Sequence, residues 1–122
     1  MKKTILIADD SKLLLATLRQ VLECQPGFEV CGEALNGKEA VETALELKPD
    51  LVVLDISMPV MNGLDAAYAL RQRMPHVPIL LFTMHKTRLS TAEALASGAS
   101  GIAFKGDGIS GLLTKAKALL HG

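Results

Sequence analysis

The sequence predicts an α/β fold: a doubly wound parallel sheet of five strands with helices on both faces. Three observations carry this. Short apolar runs recur at residues 4–8, 28–32, 51–54, 79–83 and 101–104. Segments with helical apolar spacing lie between them, and turn or capping residues stand at the joints. Such short runs, bounded by turn signals, suit strands buried on both faces. Strict alternation of strand and helix then implies parallel strands joined by crossover helices. Periodicity alone leaves the common strand orders open.

Thr4-Ile5-Leu6-Ile7-Ala8 is the first strand, and Ser11 is placed to cap the helix after it. Leu14, Leu18, Val21 and Leu22 share a face of that helix. After the run at 28–32, Asn36 with Glu39 three residues on resembles a capping box for the second helix. The run at 51–54 follows Pro49. Leu64, Ala67, Leu70 and Met74 form the apolar stripe of the third helix. Pro75 and Pro78 then stop that helix and admit the strand at 79–83. A short fourth helix, rich in small residues, is expected near 87–97. With little core burial to hold it, it is the expected mobile element. The run at 101–104 precedes a last helix marked by Ile109, Leu112, Leu113, Ala116 and Leu120.

The length of 122 residues fits one domain. Lys plus Arg and Asp plus Glu both number 13, so nothing points to a nucleic-acid or acidic-lipid surface. Trp is absent and aromatics are scarce, which leaves little for stacking recognition of bases. The apolar run after Met1-Lys2-Lys3 stops at Asp9, too short for a signal core or a membrane span. Cys24 and Cys31 lack metal-ligand spacing and read as reduced thiols of a cytoplasmic protein.

Chemistry gathers where the strands end. Asp9 and Asp10 follow the first strand, Asp55 the third and Lys105 the fifth, while Thr83 closes the fourth. In a parallel sheet these positions lie along one edge, where ligands bind. Taken singly, each has a plainer reading: a capping Asp, a Thr there for strand propensity, an exposed Lys. Together they are harder to dismiss. Three neighbouring carboxylates repel, and a hard divalent ion with oxygen ligands is their natural partner. A carboxylate beside Mg2+, a hydroxyl and an ammonium is a phosphoryl acceptor with its charge stabilisers in place.

The motifs are Ile7-Ala8-Asp9-Asp10-Ser11, Leu54-Asp55-Ile56-Ser57-Met58-Pro59-Val60-Met61-Asn62-Gly63-Leu64-Asp65, Phe82-Thr83-Met84-His85 and Phe104-Lys105. In them the chain resembles the response-regulator receiver domains of two-component signal transduction. The Phe82-Thr83-Met84-His85 segment is similar to receivers attached to helix-turn-helix output domains. The resemblance implies a flavodoxin-like (βα)5 receiver fold of strand order 2-1-3-4-5, with residues 1–122 as a single receiver domain. It implies Asp55 as phosphoacceptor, with Thr83 as switch hydroxyl and Lys105 as phosphate-binding lysine. It implies Mg2+, or another divalent ion such as Mn2+, held by the side chains of Asp10 and Asp55. Ser57 would add its backbone carbonyl, and Asp9 would act through water. The partner expected is a histidine kinase or phosphotransfer protein, with a phosphatase and a second copy of the chain as further candidates. Neither nucleic acid nor membrane is expected to bind this domain. Its only catalysis would be its own aspartyl phosphorylation and dephosphorylation, and the changing surface would be helix 4, strand 5 and helix 5. The chain is then either a stand-alone receiver or one domain of a longer regulator.

Three positions depart from the family pattern. Ile102 stands where many members carry Tyr or Phe. Gly106 follows the lysine where many carry Pro, so that peptide need not be cis. Met84 follows Thr83 where a small residue is frequent, and is expected to narrow access to the site. Rival readings are weaker. An aspartyl phosphohydrolase would need an acid two residues past the nucleophile, where Ser57 stands. A flavodoxin-like cofactor carrier would need a phosphate-cradling loop where Asp9-Asp10 stand. A degenerate receiver, acting as a phosphorylation-independent interaction module, is the nearer alternative.

Overall fold

The computed structural model describes residues 2–84 and 91–121. Among them five strands alternate with five helices. The strands are β1 (Lys3–Ala8), β2 (Phe28–Ala34), β3 (Leu51–Leu54), β4 (Ile79–Thr83) and β5 (Gly101–Phe104). The helices are α1 (Lys12–Glu23), α2 (Gly37–Leu47), α3 (Gly63–Arg73), α4 (Thr91–Ala96) and α5 (Ile109–His121). The sheet runs β2-β1-β3-β4-β5 and every pairing is parallel. The expected fold and strand order are the observed ones.

β3 and β4 lie inside the sheet with every residue buried. Their side chains feed a core on each face. One face is closed by α2, α3 and α4 through small residues, Ala40, Ala44, Ala66, Ala67 and Ala94, which let the helices lie close to the sheet. The other is closed by α1 and α5 through Leu15, Leu18, Leu22, Leu112 and Ala116. The buried stripe of α1 is thus centred on Leu15, with the expected Leu14 and Val21 only half-buried.

β2 is longer than its apolar run. Ile5 pairs with Val30 but Leu6 pairs with Gly32, so Cys31 is an extra residue, a β-bulge. The strand continues past Gly32 to Ala34 although Glu33 breaks the apolar pattern. An edge strand can hold such a residue: Glu33 turns outward and pairs with Arg19 of α1 at 2.6 Å.

Caps define the helix starts. The Ser11 hydroxyl accepts from the Leu14 N–H at 3.2 Å. Asn36 accepts from the Glu39 N–H at 2.9 Å, and Glu39 reaches back to the Leu35 N–H at 3.1 Å. Asn62 caps α3 through the Asp65 N–H at 2.8 Å. Each such cap contributes about 1 kcal/mol. At the other end of α2, Lys48 takes the left-handed conformation, φ 51.

Arg71 of α3 ties down the segment after α4. Its guanidinium donates to the Gly98 carbonyl at 2.9 Å, the Pro75 carbonyl at 2.8 Å and the Ser100 hydroxyl at 3.3 Å. Gly98 has φ 103, and a β-carbon there would lie 2.8 Å from Arg71 Cβ. α4 is described from Thr91, with Ala94 buried. The expected start of this helix, with His85, lies outside the described residues.

Candidate functional site

The first functional side chains are held by strands that end in step. Ala8 is in register with Leu54, and Leu54 with Leu81. The residues just beyond remain in the ladder: the Asp9 N–H donates to the Ala34 carbonyl and the Asp55 N–H to the Ala8 carbonyl, each at 3.0 Å. Both acids therefore start from fixed backbone. Thr83 ends β4 fully buried, in register with Phe104, and Lys105 follows Phe104.

These elements bring the acids together. Asp9, Asp10 and Asp55 each offer a carboxylate oxygen, and the three lie within 4.8 Å of one another. Asp9 is 2% exposed and Asp55 6%, whereas Asp10 faces solvent. The Lys105 ammonium reaches in from the far strand, 2.7 Å from Asp9 Oδ2 and 3.4 Å from Asp55 Oδ1. It also stands 5.9 Å from the centre of the Phe82 ring.

The electrostatics follow from this crowding. Burial pushes the Asp55 carboxyl above its ordinary value; Lys105 opposes that shift and Asp9 adds to it. With all three acids ionised, one ammonium leaves excess negative charge in a partly dry pocket. Hard oxygen donors at this spacing fit a divalent cation such as Mg2+, which is held by one or two carboxylates plus waters.

Of the expected site residues, Asp9, Asp10, Asp55 and Lys105 are brought together. Both Asp9 oxygens are engaged: Oδ1 accepts from the Ser11 N–H at 2.9 Å and Oδ2 from Lys105. Asp10 is the outward acid. Ser57 lies two residues past Asp55, exposed, in the loop before α3. Gly63 packs closely against the backbone of Asp55 and Ile56. The Ile56 carbonyl accepts from the N–H groups of Met58 and Gly63, at 3.1 and 2.9 Å. Val60, in the same loop, has φ 68, a conformation that costs a β-branched residue of order 1–3 kcal/mol. Met84 is 66% exposed beside Thr83. Ile102 is buried, packed with the core. No cis peptide occurs among the described residues.

Comparisons with known proteins agree with one another. The family model described as the response regulator receiver domain matches residues 5–117. The chain is 44% identical over 115 residues to a protein-glutamate methylesterase/protein-glutamine glutaminase 2 of Carboxydothermus hydrogenoformans, covering 93% of this chain and 32% of that protein. It thus spans about a third of that relative's length. It is 39% identical over 105 residues to the chemotaxis protein CheY of Thermotoga maritima, covering 86% of this chain and 87% of that protein. Among solved structures, a LuxR-family two-component response regulator from Aurantimonas sp. SI85-9A1 superposes with a TM-score of 0.91 at 32% identity. That superposition covers 100% of this chain and 87% of the other.

Proposed function

The chain belongs to the response regulator receiver domain family, and from that premise we propose that it is a phosphorylation-dependent signalling switch with Asp55 as its phosphoacceptor. The observation that carries this reading is the Lys105 ammonium set between two buried acids, 2.7 Å from Asp9 and 3.4 Å from Asp55. A buried acid flanked by a cation on fixed backbone is a nucleophile whose charge stabiliser is already in place.

On this reading Asp10 and Asp55 hold Mg2+, or Mn2+, through their side chains, Ser57 through its backbone carbonyl and Asp9 through water. The ion, when bound, supplies positive charge to the acids and to the incoming phosphoryl oxygens. An Asp55 oxygen attacks the phosphorus of a phosphohistidine on a histidine kinase or phosphotransfer protein. The new O–P bond forms as the N–P bond breaks, and its electron pair returns to the imidazole. Lys105 then exchanges its contact with Asp55 for a phosphoryl oxygen, and the Thr83 hydroxyl donates to another. Hydrolysis by water restores the carboxylate. A phosphatase and a second copy of the chain are further partners on this reading.

The new charge, about −1.5 to −2, acts on what faces it. Thr83 is in register with Phe104, and Phe104 lines a surface cavity of about 390 Å³ with Leu95, Ile102 and Lys115. The proposed output surface is therefore α4, β5 and α5. The relatives named above differ as whole proteins. Residues 1–122 are taken as one receiver domain working in the cytoplasm. Among the described residues no helix is long and apolar enough to cross a membrane.

The test is intact-mass spectrometry after incubation with Mg2+ and acetyl phosphate. Wild type should gain one phosphoryl group and Asp55→Asn none. An unmodified wild type, or equal modification of the variant, would sink the assignment and favour a phosphorylation-independent interaction module.

A further inference from the structure

At the edge of the sheet opposite the acids, a cavity of about 460 Å³ opens between the carboxyl ends of α2 and α3. Leu45, Met74 and Val77 give it an apolar wall, and Lys48, Arg73 and His76 also line it. These last three are exposed, and none makes an ion pair among the described residues. The one acid in the lining is Asp50, whose Oδ2 accepts from the Thr4 N–H at 2.8 Å and the Thr4 hydroxyl at 3.2 Å, so the lysine and the arginine face a single carboxylate.

A plain account exists for part of this. A cation at a helix carboxyl end is favoured by the helix dipole, and that suits Arg73 in the last turn of α3. It does not explain why unpaired basic groups from two separate helix ends meet over one apolar cavity. The same dipole favours the charge of Lys48, the C-cap of α2, but not its backbone. That residue holds the left-handed conformation, φ 51, where glycine sits without strain. A charged side chain is kept there against its backbone preference.

We propose that this cavity docks an acidic, leucine-bearing segment of a partner protein. The carboxylates would meet Lys48 and Arg73, and the apolar side chain would enter against Leu45, Met74 and Val77. The form of the cavity favours a polypeptide over a small anion. Its basic rim is exposed, so a small ligand would keep much of its surface in water, whereas drug-sized ligands are mostly enclosed. Nucleic acid is disfavoured by the neutral chain and by the absence of an aromatic side chain from the lining other than His76. The inference stands apart from the phosphorylation reading: the dock lies at the other end of the strands and binds in both states of Asp55.

The experiment is an NMR titration of isotope-labelled protein with a synthetic peptide alternating glutamate and leucine. Saturable shifts at residues 45–50 and 73–78, weakened by salt and unchanged by beryllium fluoride with Mg2+, are expected. The double variant Lys48→Glu, Arg73→Glu should lose at least about tenfold in affinity. Lys48→Gly should bind more weakly yet unfold no more easily than wild type, a split that a merely structural lysine would not give. The idea fails if no saturable shift appears at millimolar peptide. It fails too if a lysine–leucine peptide binds as well, if succinate reproduces the shifts with equal affinity, or if beryllium fluoride abolishes binding.

Discussion

Gly63 lies against the backbone of Asp55 so closely that a β-carbon on it would stand 2.1 Å from the Asp55 carbonyl oxygen. It would also come within 2.9 Å of Ile56 Cα. No flexible side chain is there to yield. Gly63→Ala should therefore destabilise the protein by about 1–3 kcal/mol, the usual cost of overpacking. It should also slow acetyl-phosphate labelling, because Asp55 is the residue displaced. Urea unfolding and intact mass read the two effects; an alanine variant as stable and as reactive as wild type would show that the contact relaxes freely.

Lys105 bridges two acids that burial keeps from water. Replacing it with Met removes the ammonium that lies between Asp9 and Asp55. The expected loss of phosphorylation rate is at least about a hundredfold, the scale of removing one charge-stabilising donor. Rates from time-resolved mass spectra of labelled protein decide the point, with circular dichroism to confirm folding.

The raised Asp55 pKa has a defined effect on stability. Burial, the leading cause, disfavours the charged form, so the folded state binds this proton more tightly than the unfolded chain. Between the unfolded and the folded value the folded state carries more protons, and stability falls as pH rises through that window. Asp55→Asn should remove this slope and be the more stable protein at neutral pH without divalent ions. Mg2+ should reverse the ranking, since an ion bound only by folded wild type stabilises it by about 2.7 kcal/mol at a hundred times its Kd. Melting curves across pH, with and without Mg2+, measure both. A wild-type slope that persists in the variant would assign the effect to another group.

Met84 is 66% exposed beside the buried Thr83. If it shields the phosphorylated site, Met84→Ala should speed loss of the phosphoryl group several-fold with stability changed by less than about 0.5 kcal/mol, as for most surface changes. Phosphate-affinity gels over time follow the decay. An unchanged half-life would remove the shielding role.

The strands were legible because β3 and β4 are buried on both faces and so carry unbroken apolar runs. β2 was read short for the opposite reason: an edge strand tolerates Glu33, and nothing in the residue order marks Cys31 as a bulge. At the site, residue types and their places at strand ends were visible, and the structure brings Asp9, Asp55 and Lys105 into contact range. That Asp9, rather than Asp10, carries the closer lysine contact depends on side-chain direction over 96 residues of separation, which periodicity does not encode. The basic cavity was not foreseen at all. Its lining comes from two helix ends that look, in sequence, like ordinary polar loops.

Arg71 has a mechanical consequence. By gripping Gly98 and Ser100 it pins the chain just past α4 to the neighbouring helix α3, while α4 itself sinks Ala94 into the core. A lever fastened at one end can swing but not slide. Any displacement of α4 would therefore have its fulcrum at Gly98, as a tilt of the helix and not a translation.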